Sequence, residues 1–193
     1  MRTKATLRAG VTDGIVEAVL AELAAVGFGR LTMDGVARRA RAGKAALYRR
    51  WSSKQEMVLE VVTTISVPMA ETTPTEDLAD DVARLVHGVA DWLADARMSR
   101  IVPDLIAEAM RNPELAAALT ERLGSARRNY GQAVIDAAIT RGEVSPDVDS
   151  EYVLDLIAAP VFWRICGRRE QVTPAYLDRV VDTVLHALGS PRA

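Results

Sequence analysis

At 193 residues the chain is long enough for one large domain or two small ones sharing a core, and 49% hydrophobic with 26% charged residues is the ordinary balance of a folded soluble protein. The single cysteine, Cys166, excludes an internal disulfide and reads as a small buried apolar side chain rather than a redox sensor. The formal net charge of -2 argues against a polyanionic partner only until it is divided along the chain: residues 1–57 hold 11 Lys/Arg against 5 Asp/Glu, and the other 136 hold 13 against 21. A basic head on an acidic body fits a protein that touches nucleic acid with one end. The N-terminal Met-Arg-Thr-Lys-Ala-Thr lacks the apolar core of a signal, and no run of about 18 apolar residues occurs, so the expectation is a cytoplasmic protein with no membrane partner.

Few prolines and no long alternation of Val, Ile and Thr favour an all-α chain. A first helix is predicted from about Thr6 to Val26, where Val11, Ile15, Val16, Val19, Leu20 and Leu23 recur at three- and four-residue spacing and make one buried face. Gly27 is placed to stop it, with Phe28 packing back. Thr32 is an N-cap for a second, short helix through Ala40, with Asp34 well placed in its first turn. A third covers about Lys44 to Trp51, and Ser52-Ser53 break and recap the chain before a fourth from Lys54 to about Ser66. Pro68 and the stretch from Glu71 to Thr75 mark a boundary.

Beyond the boundary, helices alternate with proline, glycine or asparagine. One runs from about Glu76 to Ala94, and the next, from about Ser99 to Met110, contains Pro103 either in its first turn or at a kink. Asn112-Pro113 opens a long helix to about Arg141, which Gly142 and Pro146 close. Asp149 or Ser150 caps another to about Cys166, and Thr173-Pro174 opens the last, ending at Gly189. No internal repeat or low-complexity segment is present.

The stretch from Leu31 to Lys54 packs a capped helix, a tight turn and a second, basic helix into about two dozen residues, the pattern of a helix-turn-helix. Its two helices must cross closely, which Val36, Ala37, Ala40, Ala42 and Leu47 permit as scaffold. Lys44, Ala45, Tyr48 and Arg49 then fall on the outer face of the recognition helix. Lysine and arginine suit phosphates and guanine edges, alanine a thymine methyl, and tyrosine a phosphate. Thr32 and Lys54, each at a helix start, can grip backbone phosphates.

The segments Gly-Phe-Gly-Arg-Leu-Thr-Met-Asp-Gly-Val-Ala-Arg-Arg-Ala, Lys-Ala-Ala-Leu-Tyr-Arg-Arg-Trp and Ser-Lys-Gln-Glu-Met-Val resemble the N-terminal signature of tetracycline-repressor (TetR) family transcriptional regulators. The likeness is specific over about residues 10–60; the rest matches in length and helical character only. It implies a homodimer with an N-terminal DNA-binding head and a C-terminal domain that binds a small effector and dimerises. By position, Thr32, Lys44, Tyr48 and Lys54 match the family's DNA contacts. The turn departs from the family's usual Gly-Val-Ser, reading Arg41-Ala42-Gly43. Arg41 stands where glycine eases a left-handed backbone, at a cost of about 1 kcal/mol, and offers a phosphate contact in exchange. Gly43 limits contact at its position to the backbone.

The expected division is a helix-turn-helix head over 1–53, joined by a connecting helix to a helical effector and dimerisation domain over 54–193. The last two helices carry apolar stripes too wide for one partner, which places a dimer interface at Tyr152, Leu156, Leu177, Val181, Val184, Leu185 and Leu188. A homodimer presents two recognition helices about 34–36 Å apart and implies a palindromic operator on double-stranded DNA. Trp92, Leu105, Met110, Tyr130, Phe162 and Trp163 are candidate linings of a pocket for a mainly apolar effector whose binding releases the DNA. No catalytic residues, cofactor or metal ligands are expected: His87 and His186 have no partner at ligand spacing, and Gly27-Phe28-Gly29 follows a helix, not a strand. The alternative to a ligand-responsive repressor is a helical interaction module that keeps the helix-turn-helix without binding DNA.

Overall fold

Every regular element among the described residues is helical. The computed structural model describes residues 3–66 and 73–189, apart from the side chains of 3–13, 66, 123, 126 and 127. The Val11 side chain and the boundary residues Pro68 and Glu71 therefore lie outside the described residues. In chain order the α-helices are α1 (Thr3–Arg30), α2 (Met33–Arg39), α3 (Lys44–Arg50), α4 (Lys54–Ser66), α5 (Leu78–Ala94), α6 (Met98–Ala109), α7 (Pro113–Leu119), α8 (Ser125–Arg141), α9 (Ser150–Phe162) and α10 (Pro174–Ala187).

Helix starts follow the local chemistry. Thr32, Asp77, Asn112, Asp149 and Thr173 each accept a hydrogen bond from the main-chain N–H three residues on, so Asp149, not Ser150, caps α9. Pro113 and Pro174 occupy first turns, where a missing N–H costs nothing. Pro103 lies inside α6, the kink position of the two foreseen. Helix α1 runs on to Arg30, but Gly27 breaks its geometry with φ 75° and ψ 166°, so the stop falls where the glycine placed it and one further turn follows.

The long helix predicted from Asn112 to Arg141 is interrupted at Thr120–Gly124 by a π-helical turn that separates α7 from α8. A second π-helical turn, Trp163–Gly167, extends α9 beyond Phe162, just downstream of Pro160, which removes a donor from the helical ladder.

The residues cluster into two compact units: one holds the chain up to Ser66 together with Arg100–Leu123, the other the remaining described residues. In the first, α1 packs on α2 and α4, α2 on α3, and α4 on α7, around Leu23, Leu31, Val36, Leu47, Trp51 and Met57. In the second, α5 packs on α8, α9 and α10, and α9 also packs on α8 and α10. Beside this core, Asp81 is fully buried, accepts from Thr75 N–H (2.9 Å) and pairs with Arg84.

The second unit corrects the predicted interface. Leu177, Val181, Val184, Leu185 and Leu188 are all buried within their own chain. The stripe on α10 is wide because it serves two intramolecular partners, α5 and α9. Its outward side carries Asp178, Arg179, Asp182, Thr183 and His186. Of the predicted set, Tyr152 (58% exposed) and the half-buried Leu156 remain at the surface, both on α9. Leu185→Ala should therefore lower the unfolding free energy by about 3 kcal/mol in urea titrations, the cost of a core cavity. A variant of unchanged stability would contradict its burial.

Candidate nucleic-acid interface

The helix-turn-helix is closed by main-chain bonds. At the end of α2, Ala42 N–H donates to the Ala37 carbonyl (3.0 Å) and Arg41 N–H to the Arg38 carbonyl (3.2 Å). This paired closure needs a left-handed residue, and Arg41 supplies it at φ 51°. The strain of about 1 kcal/mol foreseen for an arginine here is thus present in the backbone. Gly43 then caps α3 without any side-chain bond.

Within α3 one side chain, Leu47, is fully buried, while Lys44, Ala45, Tyr48 (55% exposed), Arg49 and Arg50 are exposed. Val36 and Ala37 are buried against it, and Ala40 and Ala42 are half-buried. Scaffold and candidate readers therefore separate as the residue types require. Thr32, Arg41, Lys44, Ala45, Tyr48 and Arg49 all reach solvent on these two short helices and their turn. The Thr32 hydroxyl oxygen accepts from Gly35 N–H (3.0 Å), which leaves its own proton to donate.

Several basic residues are already engaged. Lys44 pairs with Asp34, Arg39 with Glu22 (2.7 Å), and Arg50 with Glu60 (2.7 Å) while stacking over the Trp51 ring at 4.5 Å. Arg41 and Arg49 are exposed and hold no ion pair among the described residues. With Arg38, likewise exposed and without an ion pair, they are open to meet a phosphate.

Lys54 has a role beyond the one expected. It is half-buried, and its ammonium donates to the carbonyls of Phe28 (2.8 Å) and Gly29 (3.1 Å) while lying 4.6 Å from the centre of the Phe28 ring. Two of its three donors thus staple α4 to the end of α1.

Sequence reasoning also missed the far end of α3. The buried Trp51 indole donates to Glu60 on α4 (2.8 Å), the same carboxylate that holds Arg50. A buried indole N–H demands an acceptor, but nothing in the spacing names which one. Between them, Ser52 donates its N–H (2.8 Å) and hydroxyl (2.6 Å) to Glu56, holding that carboxyl below the usual carboxylate range. A lowered value means this contribution is present at neutral pH and lost as the pH falls through it.

The candidate pocket residues are divided between the two units. Leu105 and Met110 belong to the first unit, and Trp92, Tyr130, Phe162 and Trp163 to the second. Met110 is 85% and Trp163 63% exposed, so both are corrected to surface residues; a cavity wall is by nature buried. The Trp163 ring covers Gly167, where a Cβ would sit 2.5 Å from it. Leu105 and Tyr130 are buried, and the Tyr130 hydroxyl has no hydrogen-bond partner.

A helix-turn-helix with an exposed basic recognition helix, set in an all-helical chain, defines a DNA-binding regulator. Comparison with known proteins agrees. Residues 15–61 match the family model for bacterial regulatory proteins of the tetR family, and residues 72–184 match that for the tetracyclin repressor-like C-terminal domain. The chain is 26% identical over 184 residues to the HTH-type transcriptional regulator YdeS of Bacillus subtilis, covering 95% of this chain and 91% of the relative. It is 30% identical over 168 residues to the DNA-binding transcriptional repressor TetR of Mycobacteroides abscessus, covering 86% and 87%. The fold is that of Salmonella enterica GusR (TM-score 0.75, 20% identity, 93% and 96% covered) and of Bacillus subtilis FadR in complex with stearoyl-CoA (TM-score 0.74, 15% identity, 91% and 98% covered). The chain belongs to the TetR family of transcriptional regulators. No helix among the described residues is long and apolar enough to cross a membrane.

If Lys54 is a staple, Lys54→Met should lower the unfolding free energy by about 1 to 2 kcal/mol through the loss of two carbonyl partners and the ring contact. A residue that met only phosphate would leave the urea midpoint unchanged.

Proposed function

We propose that the protein is a ligand-responsive repressor, working in the cytoplasm, that binds a palindromic operator as a homodimer and is released by a small, mainly apolar effector. The observation that carries the reading is the recognition helix itself: one buried anchor, Leu47, and an outer face of Lys44, Ala45, Tyr48 and Arg49 open to solvent. In this reading those four enter the major groove. Thr32 and Arg41 hold phosphates from the start of α2 and from the turn, and Lys54 has one donor left for the backbone.

A single helix of this length offers too few base contacts for a specific site, which is the physical case for a dimer and for paired half-sites. The surface that fits a second copy is the outward stripe of α9 and its π-turn, Tyr152, Leu156, Ala159 and Trp163, spaced to share one side of the helix. The effector would occupy the helical body. Tyr130 supports this, since a buried hydroxyl without a partner is costly and would be satisfied by a polar group on an otherwise apolar molecule. The same fold in FadR holds stearoyl-CoA, so it can admit a largely apolar ligand.

Gel shifts against the region upstream of the protein's own gene, at two salt concentrations, test the DNA-binding reading. Specific, steeply salt-dependent binding supports it; no binding at either salt would leave a helical interaction module. Tyr48→Ala should cost roughly 10-fold or more in operator affinity with the unfolding midpoint unchanged. Arg41→Gly should shift stability by no more than about 1 kcal/mol while reducing the log–log salt slope by about 1, the signature of one phosphate contact. Trp163→Glu should convert the dimer to a monomer in sedimentation velocity. An intact dimer would move the interface off α9.

A further inference from the structure

The turn after the break in α1 is gripped from two sides. Asp104 on α6 accepts the Phe28 N–H at 2.7 Å, a contact spanning 76 residues of sequence. Lys54 at the start of α4 donates to the carbonyl of the same residue at 2.8 Å. Opposite charges thus hold the two polar ends of Phe28, whose side chain is itself buried. The segment is also shaped for close approach. A Cβ on Gly27 would lie 2.7 Å from Asp104 Oδ1, and the φ of +75° there admits little but glycine. One turn further along α6, Glu108 Oε2 comes within 3.9 Å of where a Cβ on Gly29 would sit. One face of α6 therefore runs along Gly27-Phe28-Gly29.

We infer that Asp104 is a positioning residue for the DNA-reading head. Its hydrogen bond to Phe28 fixes the chain that leads through Leu31 and the Thr32 cap into α2. The inference rests on the DNA-binding reading above and adds to it the contact by which the head is set. Phe28 N–H is a donor left over by the break at Gly27, and Asp104 satisfies it with a charged acceptor across a short, partly buried path. Such a bond is strong while made and is lost outright once the helices separate by more than a fraction of an ångström, which suits a two-position contact. Asparagine can still accept that N–H, whereas alanine cannot.

The test uses the full-length protein and a duplex recovered by the wild type from a randomised pool. Asp104→Ala should speed hydrogen exchange at the amides of Phe28 to Leu31 while those of Val36 to Leu47 keep their protection. It should weaken binding to the selected duplex about tenfold, within the usual range of coupling between sites. Asp104→Asn should stay within about threefold of wild type, a rescue expected of a hydrogen-bond acceptor. Gly27→Ala should weaken binding as well, and by a smaller factor in the Asp104→Ala background, where its collision is gone. Faster exchange with unchanged DNA affinity would reduce Asp104 to a structural tie and overturn the inference, as would unchanged exchange at Phe28. A wild-type protein that recovers no duplex would defeat the DNA-binding reading and with it the positioning role. The exchange measurement would then still show whether Asp104 holds the break.

Discussion

A helix of seven residues does not hold its shape in water, because it is too short to recover the cost of nucleation. Everything the head can do with DNA depends on α3 being held from outside, and two side chains hold it. Leu47 is fully buried in the first unit, and Trp51 closes the helix with its indole bonded to Glu60 on α4. With both anchors on the inner side, the outer side needs no apolar residue and is free to be basic. The anchoring also explains why Arg50 differs from Arg49. Arg50 is drawn to the Glu60 carboxylate and over the Trp51 ring, whereas Arg49, one step round the helix, is left exposed.

The charge of the head is likewise a matter of geometry more than of count. Counting gives the first 57 residues a strong positive excess. In the folded head, Asp34, Glu22 and Glu60 each take up one basic side chain. These pairs are largely exposed and individually weak in stabilising effect. Their consequence is directional: they orient Lys44, Arg39 and Arg50, and among the described residues they leave Arg38, Arg41 and Arg49 exposed without an ion pair. Arg41 is held there by a left-handed backbone that a glycine would adopt without strain. The strain sets an exposed guanidinium at the turn between the two helices.

Local signals in the sequence carried the head and most helix boundaries, because caps, left-handed turns and prolines act over a few residues. Thr32, Asn112 and Thr173 needed only the amide three residues on, and Gly27 only its own torsions. What failed were inferences about partners distant in sequence. The apolar stripe on α10 looked too wide for one neighbour and was assigned to a second chain, yet α5 and α9 together fill it. Trp163 and Met110 looked like cavity lining because they are large and apolar, and a one-dimensional pattern cannot tell an inward from an outward face in a π-turn or just past the end of a helix. The bonds of the Lys54 ammonium to the Phe28 and Gly29 carbonyls, 26 and 25 residues away, were likewise out of reach of a local pattern.

The segment Arg100–Leu123 shows most clearly how family and physical divisions differ. By family it falls inside the C-terminal domain match, residues 72–184, yet in the fold it clusters with the N-terminal helices. The division falls inside helix α6: its first residues, Met98 and Ser99, belong to one compact unit and the rest of it to the other. Pro103 interrupts its hydrogen-bond ladder just before Asp104, the residue that meets the head. The short run of backbone from Gly27 to Thr32 thus ends α1, meets Asp104 and caps α2, so the entry to the helix-turn-helix is fixed by contacts from two other helices, α4 and α6.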